Sequence, residues 1–162
     1  MRASSLVLLF LVGSTVRAEH FAVELKVETN GAAKTATGET LAPGVKAKDR
    51  AVVVGKAGAK VTVHWTLTNV SKAAAKNVVV HFFCVKEEML NQPRVPKLTE
   101  DVVAESAVSV DFNPKDRTKG ELTFVIDREG AYLIKVETIG AAGGTEDHEH
   151  FAQLDLSIPK AK

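Results

Sequence analysis

Apolar and polar residues alternate with a period of two through most of this chain. Phe21, Val23, Leu25 and Val27 alternate with Ala22, Glu24, Lys26 and Glu28, the pattern of a strand with one buried and one wet face. Val61, Val63, Trp65 and Leu67 face one way, and Thr62, His64, Thr66 and Thr68 the other. Ahead of them Ala51 to Val54 predicts a short strand, with Gly55-Lys56-Ala57-Gly58 turning the chain. Further strands are predicted through Val102, Ala104, Val108 and Val110, closed by Phe112, and through Leu122, Phe124 and Ile126. The last two run through Tyr132, Ile134 and Val136, and through Ala152, Leu154, Leu156 and Ile158. The run from Asn77 to Val85 is apolar on both parities. That predicts a central strand whose second face is also covered.

Residues 29–50 lose the pattern and are rich in Gly, Ala, Thr and Lys around Pro43-Gly44. They predict a long, flexible, exposed connection. Residues 86–100, with Pro93 and Pro96, predict a second loop, and 140–148 a third. No segment keeps helical periodicity beyond a turn or two, and no repeat recurs at a fixed period. About seven or eight short strands at close spacing predict an all-β fold, an antiparallel β-sandwich or a barrel.

The chain starts differently. Arg2 precedes the apolar run Leu6 to Val12, Gly13-Ser14-Thr15 breaks it, and Val16-Arg17-Ala18 ends with small residues at −3 and −1. This three-part pattern predicts a secretory signal peptide over 1–18, cleaved after Ala18, and one β-sandwich domain over 19–162. The apolar run falls far short of the ~20 residues of a spanning helix, so no membrane span is expected. The expected location is periplasmic or extracellular.

Composition narrows the chemistry. Of 162 residues, 21 are Lys or Arg and 20 are Asp or Glu, so no basic field is available to hold a nucleic acid backbone. The single cysteine excludes an intramolecular disulfide and a Cys-rich zinc module. Cys84 lies inside the doubly apolar run, which predicts a small buried hydrophobe; a reactive thiol or a metal ligand is the alternative.

Lys60-Val-Thr-Val-His-Trp-Thr-Leu-Thr-Asn69, followed by Ala73-Ala-Ala-Lys-Asn-Val-Val-Val80, resembles the paired B and C strands of bacterial immunoglobulin-like adhesion domains, including the CARDB kind. Asp127-Arg-Glu-Gly-Ala-Tyr-Leu-Ile-Lys-Val136 is similar to their "G-x-Y-x-V-x-V" strand. The likeness covers about residues 51–158. It implies an immunoglobulin-like sandwich with an interaction or architectural role at the cell surface or in the periplasm, and it carries over no catalytic residue. Gly130 would permit a tight corner, with Tyr132 burying its ring and bonding the corner backbone.

No nucleophile elbow, phosphate-cradling glycine loop or His-Glu-x-x-His motif is present, and no enzyme activity is expected. Asn69-Val70-Ser71 fits an N-glycosylation acceptor in a hairpin loop. Among the histidines, His64 reads as a surface residue and His81 as hydrogen-bonded and semi-buried. After cleavage His20 would be the second residue, a position known for amino-terminal Cu(II) binding. In Thr145-Glu-Asp-His-Glu-His150, His148 and His150 point to one side of an extended chain, about 6–7 Å apart. They could ligate Cu or Zn with help from Glu146 and Asp147, or simply cover the end of the core. Two functions follow. One is a non-catalytic exported domain that binds a protein or a cell-envelope component; the other is a periplasmic or extracellular metal-binding protein using the His148/His150 loop.

Overall fold

The computed structural model describes residues 20–38, 49–93, 98, 101–139 and 150–160. The alternating segments form nine strands among these residues. They are β1 (Phe21–Thr29), β2 (Ala32–Thr37), β3 (Val52–Val54), β4 (Ala59–Asn69), β5 (Ala75–Glu87), β6 (Val102–Phe112), β7 (Arg117–Ile126), β8 (Gly130–Ile139) and β9 (Phe151–Ile158). Two sheets pack face to face, one ordered β2-β1-β4-β7 and the other β3-β9-β8-β5-β6. Val23, Leu25, Val61 and Leu67 from the first meet Val80, Phe82, Ile134 and Leu154 from the second in one continuous core. The fold is an immunoglobulin-like β-sandwich.

Two expectations about the strands need correction. Within 29–50, expected as a long connection, residues 32–37 form β2 and pair with β1 from Glu24↔Thr37 to Thr29↔Ala32. Asn30 and Gly31 both adopt positive φ, 48° and 78°, which is what a two-residue hairpin turn requires. The hairpin eluded the pattern because β2 is almost wholly exposed and so carries no alternation. The sandwich is also not purely antiparallel: β3 pairs parallel with β9. Residues 1–18 and the loop at 140–148 lie outside the described residues.

Corners fix the two sheets together. Tyr132 enters β8 buried, 2 % exposed, and its hydroxyl donates to the Arg128 carbonyl at 2.8 Å. Gly130 starts that strand at φ 145°, a conformation side chains with a Cβ rarely adopt. At the end of β4, Asn69 is buried. Its amide donates to the carbonyls of Ala73 and Asn113, and its carbonyl accepts from the Ser71 backbone N–H and hydroxyl. One side chain thus ties β4 to the loop ahead of β5 and to the β6–β7 turn. Burial of Asn69 also removes the expected glycosylation acceptor from reach.

Replacing Tyr132 by Phe should cost about 1 kcal/mol for one lost hydrogen bond, and replacing it by Ala about 3–5 kcal/mol for the cavity. Urea denaturation measures both. Two neutral substitutions would contradict the corner described above.

Candidate functional site

Strand β5 explains why a sequence apolar on both parities folds as it does. Val78, Val80, Phe82 and Cys84 enter the main core, whereas Phe83 and Val85 turn outward and form a second small core with Leu133, under Leu98 and Val102. A β-bulge between Cys84 and Val85 shifts the pairing of β6, which is why Val102 leaves the parity of Ala104. The strand also runs on to Glu87, into what was expected as loop.

Two ionic clusters flank this second core. In one, the Arg50 guanidinium bonds both Asp155 on β9 and Glu87 at the end of β5, whose side chains are fully buried. Asn91 N–H donates to Asp155 at 2.6 Å and Arg50 reaches the Gln92 carbonyl at 3.3 Å, so the cluster pins the chain after β5 to the sheet. One guanidinium serves two carboxylates, and Glu87 Oε1 has no hydrogen-bond partner. Burial pushes the Glu87 carboxyl up to about 7, with Asp155 adding to the shift and Arg50 opposing it.

The other cluster lies across β6, β5 and β8. His81 Nδ1 stands 3.0 Å from Glu137 and its Nε2 2.8 Å from Glu105, while Lys135 bonds Glu137. The Lys135 ammonium also sits over the Phe151 ring, 4.7 Å from its centroid. His81 is therefore buried and hydrogen-bonded, as its parity predicts.

The remaining candidates separate. His64 lies on the wet face of β4, between Glu28 and Glu121. Cys84 is fully buried, and burial pushes its thiol pKa upward, which removes the reactive-thiol alternative. His148, Glu146 and Asp147 lie outside the described residues. His150 is 2 % exposed, edge-on to Phe21 with ring centroids 5.9 Å apart. It caps the end of the core, and the chain's other end brings His20 to it, the two ring centroids 6.0 Å apart. Among the described residues no group of three or more His, Cys, Asp or Glu could hold a metal ion.

A different feature stands at the open side of the sandwich. β6 and β7 are the outermost strands of their sheets on this side. Ser106 and Val108 share the inward parity of their partners Phe82 and Val80, yet both are exposed. Below them Trp65, Leu122 and Phe124 are only half-buried. Trp65 lies flat on Gly120 of β7, where a Cβ would come within 2.1 Å of the indole. The result is a shallow apolar flank beside a strand edge that has no partner among the described residues.

Sequence reading missed Arg50, Glu87 and Asp155 entirely. A usable signal existed: Asp155 sits between Leu154 and Leu156 in a strand with few polar residues, where a lone acid needs a partner.

No family model and no curated protein matches the chain. Among solved structures it is similar to the C-terminal domain of Wzt, at 9 % identity and a TM-score of 0.46, over 85 % of this chain and 72 % of that one. It is also similar to the CARDB domain of PF1109 from Pyrococcus furiosus. The solution structure of that domain gives 16 % identity and a TM-score of 0.43, over 84 % of this chain and 94 % of that one. Its crystal structure in complex with di-metal ions gives 17 % and 0.41, over 87 % and 96 %. No helix among the described residues is long and apolar enough to cross a membrane.

The Glu87 environment predicts a pH dependence. The folded chain holds a proton on Glu87 up to about pH 7, whereas the unfolded chain releases it near the ordinary 4.5. Between those values the folded state binds more protons, so this group's contribution to stability falls as pH rises through the window. Replacing Glu87 by Gln should flatten that slope and raise stability at pH 8 by about 1–3 kcal/mol. Urea denaturation of both proteins at pH 5, 6, 7 and 8 measures it. Parallel curves would show that Glu87 is ionised throughout.

Proposed function

We propose that this chain is an exported, non-catalytic immunoglobulin-like module that binds a protein partner in the periplasm or outside the cell, taking an extended segment of that partner along β6. The three-part pattern of residues 1–18 supports export. The observation that carries the interaction is the β6 edge. Strand β6 is 11 residues long and, among the described residues, pairs on one side only, with β5. Between Val102 and Val110 its only charge is Glu105, and it contains no Lys or Pro. Soluble proteins usually blunt such an edge with charge, proline or a covering loop. Its backbone groups can pair an added strand, and the half-buried Trp65, Leu122 and Phe124 offer apolar contact beside it.

Val103 and Val108 are 38 % and 44 % exposed, so lysine at both positions charges the edge without opening the core. A photo-crosslinking residue at Ala107 should give a discrete adduct with an envelope protein, and one at Lys26, on the wet face of β1, should not. The Val103→Lys, Val108→Lys variant should lose the adduct while its thermal midpoint shifts by no more than about 2 °C. An adduct that survives both lysines, or forms equally from Lys26, would overturn the edge as the binding surface.

A further inference from the structure

We infer that the strand β6 accepts is the β6 of a second copy of this chain, antiparallel about a twofold axis at Ala107, so that the two five-stranded sheets run on into one. This rests on the reading of β6 as a strand-accepting edge and names the strand that it takes.

The hydrogen-bond register sets which backbone groups are available. Thr138 N–H bonds the His150 carbonyl, so the even-numbered residues of β8 bond β9 and the odd-numbered ones bond β5. Along β5, Val79, His81, Phe83 and Val85 therefore face β8, whereas Val80, Phe82 and Cys84 face β6. The bond from Lys86 N–H to the Asp101 carbonyl keeps the same parity. Val108, Ser106 and Ala104 are thus satisfied within the sheet, and the backbone groups of Glu105, Ala107 and Ser109 point away from it.

Few pairings of two such edges avoid a conflict. Ala107 is the midpoint of Val102–Phe112, so an axis there overlaps the longest run of edge. It sets Glu105 against the partner's Ser109, whose hydroxyl can donate to the carboxylate. An axis at Glu105 would oppose two carboxylates, and one at Val108 would set Glu105 against the partner's Asp111. An axis at Ser106 would put two hydroxyls over the apolar flank, and one at Ser109 runs out of strand.

The inward side chains agree with the axis at Ala107. Ser106 and Val108 are exposed on the core side, and this axis places each Val108 opposite the partner's Ser106, large against small. Phe124 lies beneath, its ring centroid 6.1 Å from that of Phe82, the β5 residue paired with Ser106. The incoming Val108 would close over this half-buried ring and remove it from water.

Sedimentation velocity of the purified protein from about 1 to 100 µM should show a reversible dimer. Ser109→Glu opposes the partner's Glu105 on both sides of the axis and should weaken association about tenfold. Adding Glu105→Lys turns each clash into an ion pair and should restore association to within about threefold of the original. Both positions are exposed, and thermal melts check that the variants fold. In a hydrogen-bonded antiparallel pair the Cα atoms stand about 5.5 Å apart, within reach of a disulfide. Ala107→Cys should therefore give an intermolecular disulfide on mild oxidation, whereas Val125→Cys, exposed on β7, should not. A monomer at every concentration with no Ala107→Cys dimer would overturn the second copy as partner. A photo-crosslink from Ala107 to a different envelope protein would then leave strand addition standing, and no crosslink at all would remove both. A dimer indifferent to Ser109→Glu would lie on another surface and would overturn the inference as well.

Discussion

A strand that is apolar on both parities is stable only where both of its faces leave water, and β5 imposes that requirement on this fold. Its inward residues Val80, Phe82 and Cys84 need the four-stranded sheet opposite, which sets the sandwich. Its outward residues Phe83 and Val85 need a cover that an ordinary two-layer sandwich does not provide. Leu98 and Val102 supply it, and the Arg50 cluster holds the chain after β5 in place. Charges are drawn inward as a result. Arg50, Glu87 and Asp155 are buried because they rim an apolar cover, and they remain there because they bond one another.

This requirement also divides the molecule functionally. The outer face of β5, β8 and β9 is spent on internal contacts, with Lys135, Glu137 and His81 paired across strands. The wet face of the four-stranded sheet is a regular array of charged and threonine side chains. The β6 side leaves backbone groups and apolar surface together.

Much of the fold was legible in the sequence because burial writes itself as period two. β1 and β4 follow the pattern closely, and the Gly130–Tyr132 corner bonds as its motif predicts, whereas β8 and β9, expected to bury one face, are buried on both parities. What stayed hidden lacks a local signature. β2 is exposed on both faces, so nothing alternates, and Asn30-Gly31 was the only hint of its hairpin. The parallel pairing of β3 with β9 is a long-range choice that three valines cannot encode. Arg50, Glu87 and Asp155 are far apart in sequence, as are His20 and His150, and only the sheet order brings them together. His150 was legible as a candidate, but its partner across the chain was not.

The burial of β5 in the core, on which the sandwich depends, can be tested at its one cysteine. Cys84 is fully buried between the sheets, with its thiol held protonated by burial. Its reaction with a thiol reagent should proceed only through unfolding, at least about a thousandfold slower than in the denatured chain, with a rate that rises with urea as global unfolding does. Fast stoichiometric labelling of Cys84 in the native protein would contradict β5 as a central strand packed into the core between the sheets.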